Sequence, residues 1–166
     1  LIPEAWADWL AERLGFGYTH TYSAHAVSAA AALAVLDIYE EQALAERACA
    51  RGAYLREQLE ALQARSPLVG DVRGKGLLLG LELVADKATR TIIDSQPSPT
   101  DIVRARGLEE GLLIYARRTA GGKYGDWIMA TPPLTITEAE CDELVAKLTR
   151  TLEAACTDLH AQGALP

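Results

Sequence analysis

The first part of the chain places apolar residues at helical spacing. Residues 3–14 predict a short amphipathic helix, and a loop rich in Gly, Thr and Tyr follows over residues 15–23. An alanine-rich run predicts a second helix from about Ala24 to Glu41, because alanine is the strongest helix former. A third helix is expected from about Ala43 to Ala64, where apolar residues recur near a 3.6-residue period.

After the third helix the apolar period changes from 3.6 to 2. Val69 to Arg73 predicts a strand, residues 74–76 predict a turn, and Leu77 to Val84 predicts a second strand. In that second strand one face carries four leucines, which are Leu77, Leu79, Leu81 and Leu83. The two strands are expected to form an antiparallel hairpin, and the polar residues 86–96 a loop.

A second set of elements begins at Ser98, an expected helix N-cap that is followed by proline. This helix is predicted to run to about Glu110 and to stop at a glycine. Leu112 to Tyr115 predicts a short strand, Arg117 to Asp126 a glycine-rich loop, and Trp127 to Ala130 another short strand.

The last element is predicted from a capping box. Thr137 and Glu140 have the spacing at which the two residues satisfy each other's backbone N–H groups at a helix start. The long helix that follows has an apolar stripe that includes Cys141, Leu144, Val145, Leu148, Leu152, Ala155 and Leu159. The order of elements therefore predicts an α+β fold, with a small, mainly antiparallel sheet and helices on one of its faces.

Composition narrows the class of protein. The formal net charge of −7 argues against a nucleic-acid partner. The most apolar run, Ala24 to Ile38, is shorter than the roughly 20 residues of a membrane span. The three cysteines are far apart, so we expect reduced thiols in a cytoplasmic protein, with neither a disulfide framework nor a metal site. Because the sequence begins without Met, we expect it to be the later part of a longer polypeptide.

Three segments resemble the class III aminotransferases of the omega-transaminase type, and they occur in that family's order. The first is His20-Thr-Tyr-Ser-Ala-His-Ala-Val27 with the helix that follows it. The second is Val69-Gly-Asp-Val-Arg-Gly-Lys-Gly-Leu-Leu-Leu-Gly-Leu-Glu-Leu83. The third is Ala130-Thr-Pro-Pro-Leu-Thr-Ile-Thr-Glu138 with Asp142-Glu-Leu144. The family usually has Gly at the positions of Thr19 and Ala24, and Pro at Ala26.

This resemblance implies a fold and an activity. It implies the C-terminal small domain of a fold-type-I enzyme, with residues 1–40 as the tail of the large domain and the interdomain helix, and 41–166 as the small domain. The expected reaction transfers an amino group between an amine or amino acid and a keto acid. The expected cofactor is pyridoxal 5'-phosphate, which is shared with the large domain of a partner subunit in a homodimer.

The resemblance also assigns candidate cofactor contacts. The family's matching threonine reaches the cofactor phosphate of the neighbouring subunit, which implies that role for Thr21, with the backbone of His20 beside it. A hydroxyl just before a helix N-terminus can donate a hydrogen bond to a phosphate, and the positive end of the helix dipole attracts the phosphate charge. The alternative is that Thr21 and Ser23 only cap the helix. Likewise, His20 and His25 are either acid–base groups or loop and helix-start residues.

No catalytic residue is assigned to this chain. The family's covalent lysine lies a few tens of residues before the position of Thr21, where this sequence has no lysine. The four lysines are Lys75, Lys87, Lys123 and Lys147, in segments that do not match.

The substrate contacts expected from the resemblance are Arg117, Arg118 and Tyr22. The family holds a substrate-facing arginine in the region of Arg117 and Arg118, where a planar guanidinium pairs with a carboxylate. The alternative is that both arginines are solvated surface residues. Tyr22 is a candidate for lining the entrance of the site. Arg73 and Glu82 are expected to be structural.

Two other functions remain open at this point. An aminomutase or racemase of the same family would differ mostly in residues outside these segments. A non-catalytic interaction domain is the alternative of a different class, and the absence of a matching lysine favours it.

Overall fold

The computed structural model describes residues 3–15 and 20–165. The chain divides into two compact units, Leu1–Gln42 and Ala43–Pro166. Part of the predicted 15–23 loop, residues 16–19, lies outside the described residues. The assignment of 1–40 and 41–166 to two domains of an aminotransferase stays a prediction.

The first unit contains two helices, α1 (Glu4–Leu14) and α2 (Ala26–Glu41). Both are close to their predicted ranges. The helix α2 begins after the predicted Ala24, because Ala24 has a left-handed φ of 57° that a right-handed helix does not allow. The helix buries none of its side chains.

The second unit is α+β, as the sequence predicted. Its sheet has the order β1-β2-β4-β3, and every neighbouring pair is antiparallel. The elements in chain order are α3 (Leu44–Arg65), β1 (Val69–Lys75), β2 (Leu78–Leu83), α4 (Pro99–Glu109), β3 (Tyr115–Arg118), β4 (Asp126–Ala130) and α5 (Glu138–Ala161).

Within the second unit, helices pack on one face of the sheet. Alternate strand residues point to opposite faces, and one set is buried. The buried set is Val72, Leu79, Leu81, Leu83, Ala116, Ile128 and Ala130. It shares a core with Leu55, Leu59 and Leu62 of α3 and with Val145, Leu148 and Leu152 of α5. The other face, which carries Leu78, Glu82, Tyr115, Arg117 and Trp127, is covered by none of the helices of the second unit and will be called the open face.

Both predicted helix starts in this unit are confirmed. The Ser98 hydroxyl accepts a hydrogen bond from the Asp101 N–H at 3.2 Å. At α5 the Glu140 carboxylate accepts from the Thr137 N–H at 2.8 Å, and the Thr137 hydroxyl accepts from the Glu140 N–H at 3.3 Å. No helix in the described residues is both long enough and apolar enough to cross a membrane.

Polar contacts connect the helices to one another. Arg106 of α4 binds Asp158 of α5 with two N–O distances of 2.7 Å, which is the bidentate geometry that guanidinium and carboxylate favour. The Asp142 carboxylate accepts hydrogen bonds from Tyr54 at 2.8 Å and from Gln58 at 2.7 Å, which ties α5 to α3.

The predicted strand Leu112–Tyr115 is wrong. Residues 112–114 are irregular, and β3 begins at Tyr115 and ends at Arg118. The predicted loop from Arg117 to Asp126 is therefore shorter: it contains a 3-10 turn over Thr119–Gly122, and β4 begins at Asp126. The apolar residues Leu112–Ile114 precede the strand, and its second half is Arg117–Arg118, so the local hydrophobic pattern did not locate it.

Candidate functional site

The candidate phosphate-contacting residues lie on a turn over residues 21–24, immediately before α2. The Ser23 N–H donates to the His20 carbonyl at 2.9 Å, and the His20 N–H donates to the Ser23 hydroxyl at 3.1 Å. These reciprocal bonds fix the backbone around Thr21. The Thr21 side chain is exposed and has no partner among residues 3–15 and 20–165.

The cap of α2 is His25, so the interpretation of Thr21 and Ser23 as its capping residues is wrong. The Nδ1 atom of His25 accepts a hydrogen bond from the Ser28 N–H at 3.3 Å and lies 3.0 Å from the Ser28 hydroxyl. His25 therefore has a role at the helix start, which was the predicted alternative to a role as an acid–base group. It also leaves the Thr21 hydroxyl available to another group.

Tyr22 extends from the same turn. Its side chain is 80% exposed, and its ring meets the His25 ring edge-on at a centroid distance of 5.9 Å. An edge-to-face pair is a favoured aromatic geometry. The turn thus presents Thr21 and Tyr22 together, with His20 at its beginning.

The two candidate arginines occupy successive positions of β3 and therefore point to opposite faces of the sheet. Arg117 pairs with Trp127 and Arg118 with Asp126 across the β3–β4 ladder. Arg117 is exposed, and its guanidinium has no hydrogen bond or ion pair with any part of the chain that the structure describes. The structure therefore distinguishes two residues that looked equivalent in the sequence.

Arg118 lies on the covered side, in an ion pair with Asp126. Its Nη1 atom is 3.6 Å from the Asp126 Oδ2 atom, and the Asp126 side chain is 0% exposed. Burial raises the pKa of the Asp126 carboxyl, and the Arg118 charge opposes that rise. Neither Asp126 oxygen has a hydrogen bond within the described residues.

Aromatic rings flank Arg117 on the open face. The Tyr115 and Trp127 rings are 5.8 Å apart, and the Trp127 Nε1–H donates to the Thr119 hydroxyl at 2.8 Å. On the far side of Trp127, the Glu82 carboxylate is bound by Arg73 at 2.7 Å. This contact gives Arg73 and Glu82 the structural role that the sequence predicted.

The structure places the candidate residues in two groups. His20, Thr21 and Tyr22 share the turn of the first unit, and Arg117 and Arg118 share β3 of the second. Sequence reasoning missed Asp126 and Trp127, because both fell at the edge of a predicted loop. The sequence did contain one signal, which is an acid placed directly before an apolar strand. A carboxylate that is buried with such a strand requires a charged or hydrogen-bonding partner.

Comparisons with known proteins agree with this architecture. Residues 10–152 match the family model described as Aminotransferase class-III. The diaminobutyrate–2-oxoglutarate transaminase of Halomonas elongata is 38% identical over 149 residues, which cover 90% of this chain and 31% of that protein. The chain spans about a third of the length of the curated relatives it matches.

Two solved structures show the same likeness in three dimensions. An (S)-enantioselective omega-transaminase from Thermomicrobium roseum is 36% identical with a TM-score of 0.77, over 95% of this chain and 33% of that one. A PLP-bound amine transaminase from an uncultivated Pseudomonas species is 36% identical with a TM-score of 0.79, over 92% of this chain and 34% of that one. The family match and these likenesses, which agree with the predicted resemblance, show that the chain belongs to the class-III aminotransferases.

Proposed function

We propose that this chain is the C-terminal part of a pyridoxal-phosphate-dependent aminotransferase, and that it supplies a phosphate-contacting turn and a substrate-side arginine. The reaction would transfer an amino group between an amine or amino acid and a keto acid. The single observation that carries the proposal is the exposed Thr21 hydroxyl, which has no partner in the described residues and sits on an ordered turn before a helix.

The turn has the chemistry that a phosphate group requires. The first N–H groups of a helix lack partners within the helix, and they carry the positive end of its dipole. The helix α2 has 16 residues, and His25 satisfies the Ser28 N–H while Thr21 stays available. We propose that Thr21 donates a hydrogen bond to the cofactor phosphate, with the backbone of His20 beside it and Tyr22 at the site entrance.

The covalent lysine is not proposed from this chain. The Lys87 ammonium donates to the Ser66 carbonyl at 3.0 Å, and Lys147 pairs with Glu143 at 2.7 Å. Lys123 lies over the Tyr124 ring. All four lysines belong to the second unit, outside the turn that carries Thr21.

Arg117 is proposed as the residue that binds the carboxylate of a keto acid or amino acid. Its guanidinium is exposed and without a partner in the described chain, whereas Arg118 is engaged by Asp126. A planar guanidinium can bind a carboxylate through two hydrogen bonds. The neighbouring Trp127 and Tyr115 rings offer an apolar surface for the rest of a substrate.

When bound, pyridoxal phosphate supplies the electron-withdrawing ring on which amino-group transfer depends. The residues of this chain would hold its phosphate and orient the substrate. We also propose a homodimer, because the family's matching threonine serves the phosphate of the neighbouring subunit. The cytoplasmic location expected from the cysteine spacing stays a prediction.

Transamination is favoured over a mutase or racemase activity by the relatives. One relative is a diaminobutyrate–2-oxoglutarate transaminase, and another, from Bilophila wadsworthia, is a taurine–pyruvate aminotransferase. These names support amino-group transfer as the reaction, and they leave the amine and the keto acid of this protein to experiment.

The test is the affinity of the full-length apoenzyme for pyridoxal phosphate after Thr21→Ala. A hydrogen bond to a charged group contributes about 1.5–3 kcal/mol, so the dissociation constant should rise at least about tenfold. The constant can be measured by titrating the cofactor into apoenzyme and following protein fluorescence.

Thr21→Ser is the matched control, because it keeps the hydroxyl and should stay within about threefold of the unaltered protein. An unchanged dissociation constant in Thr21→Ala would reject the phosphate role of this turn.

A further inference from the structure

The open face of the sheet contains a cavity beside the proposed carboxylate site. Its volume is about 540 Å³, and it lies over the middle of β2. Side chains from β2, from β4 and from the loop before β4 line it, and they include Leu78, Glu82, Tyr124, Trp127 and Met129. A cavity of this size is large enough for part of a small-molecule substrate.

The cavity exists because Gly80 has no side chain. Gly80 lies between Arg73 of β1 and Met129 of β4, its partners in the two ladders. A Cβ atom added to Gly80 would lie 3.9 Å from its nearest neighbours, the carbonyl oxygens of Arg73 and Ile128. A glycine inside a strand often marks a place where a ligand or another backbone approaches closely. Within the described residues nothing fills that place.

The charges beside the cavity are mostly paired. Arg73 binds Asp71 at 3.0 Å and Glu82 at 2.7 Å. Glu82 also binds Arg90, at 3.4 Å. Lys75 borders the cavity as well, and it has no hydrogen bond or ion pair with residues 3–15 or 20–165. Paired charges and apolar walls favour an uncharged, apolar group in the middle of the cavity.

Trp127 separates this cavity from Arg117. Trp127 is paired with Glu82 of β2 on one side and with Arg117 of β3 on the other. Neighbouring strands are about 4.8 Å apart, so several carbon atoms are needed to pass from the Arg117 guanidinium across the Trp127 ring. The orientation of this ring is held by its Nε1–H, which donates to the Thr119 hydroxyl at 2.8 Å.

We propose that the cavity binds the side chain of the keto acid, and that Gly80 is a specificity-determining residue. The inference rests on the proposed function, in which Arg117 binds the substrate carboxylate. With the carboxylate at Arg117, a long apolar side chain extends past Trp127 into the cavity, and a methyl group does not reach it. The substrates selected are 2-keto acids with a long apolar side chain.

The experiment fills the cavity from Gly80 in the full-length holoenzyme. Gly80→Ala, Gly80→Val and Gly80→Leu add side chains of increasing size at a strand position that has no positive φ and has room for a Cβ atom. With one amine donor, kcat/KM for 4-phenyl-2-oxobutanoate should fall in that order, by less than about threefold for Gly80→Ala and at least about tenfold for Gly80→Leu. For pyruvate it should stay within about twofold in all three variants.

A binding measurement separates the cavity from the chemical step. The affinity of the full-length apoenzyme for 4-phenylbutanoate, measured by calorimetry, should weaken in the same order of variants. Equal affinity in all three would overturn the proposal. Loss of folding in all three would show that another part of the protein fills the cavity, and it would overturn the proposal too.

Thr119→Val reaches the same site without changing Gly80. It removes the hydroxyl that orients the Trp127 ring, and it should lower kcat/KM for 4-phenyl-2-oxobutanoate more than for pyruvate. Thr119→Ser keeps the hydroxyl and is the matched control. Equal losses for the two keto acids in Thr119→Val would contradict the proposed path of the side chain.

Arg117→Met separates this inference from the proposed function. It should lower kcat/KM for both keto acids. If it lowers neither, the carboxylate role of Arg117 fails and the role of the cavity fails with it. If it lowers both while the Gly80 variants leave the ratio of the two values unchanged, the role of the cavity is wrong and the proposed function stands.

Lys75→Met tests a different occupant, the second carboxylate of a dicarboxylic keto acid. We expect kcat/KM for 2-oxoglutarate and for 4-phenyl-2-oxobutanoate to change by less than about twofold. A large loss confined to 2-oxoglutarate would identify a dicarboxylic acid as the ligand of the cavity and would overturn the proposal.

Discussion

At the scale of single residues, exposure and partners decide which candidates can act. Thr21 and Arg117 are exposed and lack partners in the described chain, whereas His25 and Arg118 are occupied by Ser28 and Asp126. The sequence predicted the same role for Arg117 and Arg118. Adjacent arginines can be assigned to opposite sides of a sheet only when the strand and its covered face are known. Asp126 was missed for the same reason.

The buried Asp126 carboxyl gives a pH dependence whose sign can be worked out. Burial raises its pKa above the ordinary value of 3.8, so the folded state holds the proton more tightly than the unfolded state. The stability contribution of this group is therefore largest below pH 3.8 and falls as the pH rises to the folded pKa. In Asp126→Asn this slope is absent.

Urea denaturation of the chain and of Asp126→Asn at a series of pH values measures the effect. The difference in unfolding free energy, unaltered minus variant, should fall as the pH rises from about 4 and then become constant. Carboxyls that do not interact with Asp126 cancel in the difference. A difference that rises with pH in this range would show that the attraction of Arg118 exceeds the effect of burial.

At the scale of elements, local signals located helices well and the third strand poorly. The Ser98 and Thr137 caps were predicted because their partners lie three residues away. The strand β3 was misplaced because its partner, β4, lies across a loop and because its sequence, Tyr-Ala-Arg-Arg, carries charge. Apolar Leu113, which suggested a strand, is 89% exposed.

The capping box of α5 gives a prediction at this scale. Thr137→Ala removes the hydroxyl that accepts from the Glu140 N–H, and it should lower the free energy of unfolding by about 1 kcal/mol. Urea denaturation monitored by circular dichroism measures the loss. The same variant should also remove part of the interaction that lowers the pKa of Glu140.

Thr157→Ala is the control on the same helix. Thr157 is exposed and its hydroxyl bonds back to the Glu153 carbonyl, so alanine there should be neutral or slightly stabilising. Equal losses in the two variants would mean that the cap contributes nothing.

At the scale of the whole molecule, stability is concentrated in the second unit. One apolar core joins the covered face of the sheet to α3 and α5, and the Arg106–Asp158 and Tyr54–Asp142 contacts tie the helices to one another. The sequence predicted this architecture because the apolar period of each element marks the face that it buries. It could not predict the strand order, which depends on contacts far apart in the chain.

Leu59→Ala tests where that stability lies. Leu59 is 0% exposed, and truncating a fully buried leucine should lower the free energy of unfolding by about 2–5 kcal/mol. The matched control is Leu113→Ala, at an exposed position, with an expected change within about 0.5 kcal/mol. Similar losses in urea denaturation would contradict the described core.

The helix α2 has a consequence for the chain inside a cell. It buries none of its side chains, and its exposed apolar residues include Val27, Leu33, Val35, Leu36 and Ile38. Exposed apolar side chains of this kind attract chaperones and promote aggregation until another surface covers them. Aggregation of this chain is therefore expected to depend on α2, whereas its free energy of unfolding depends on the apolar core of the second unit.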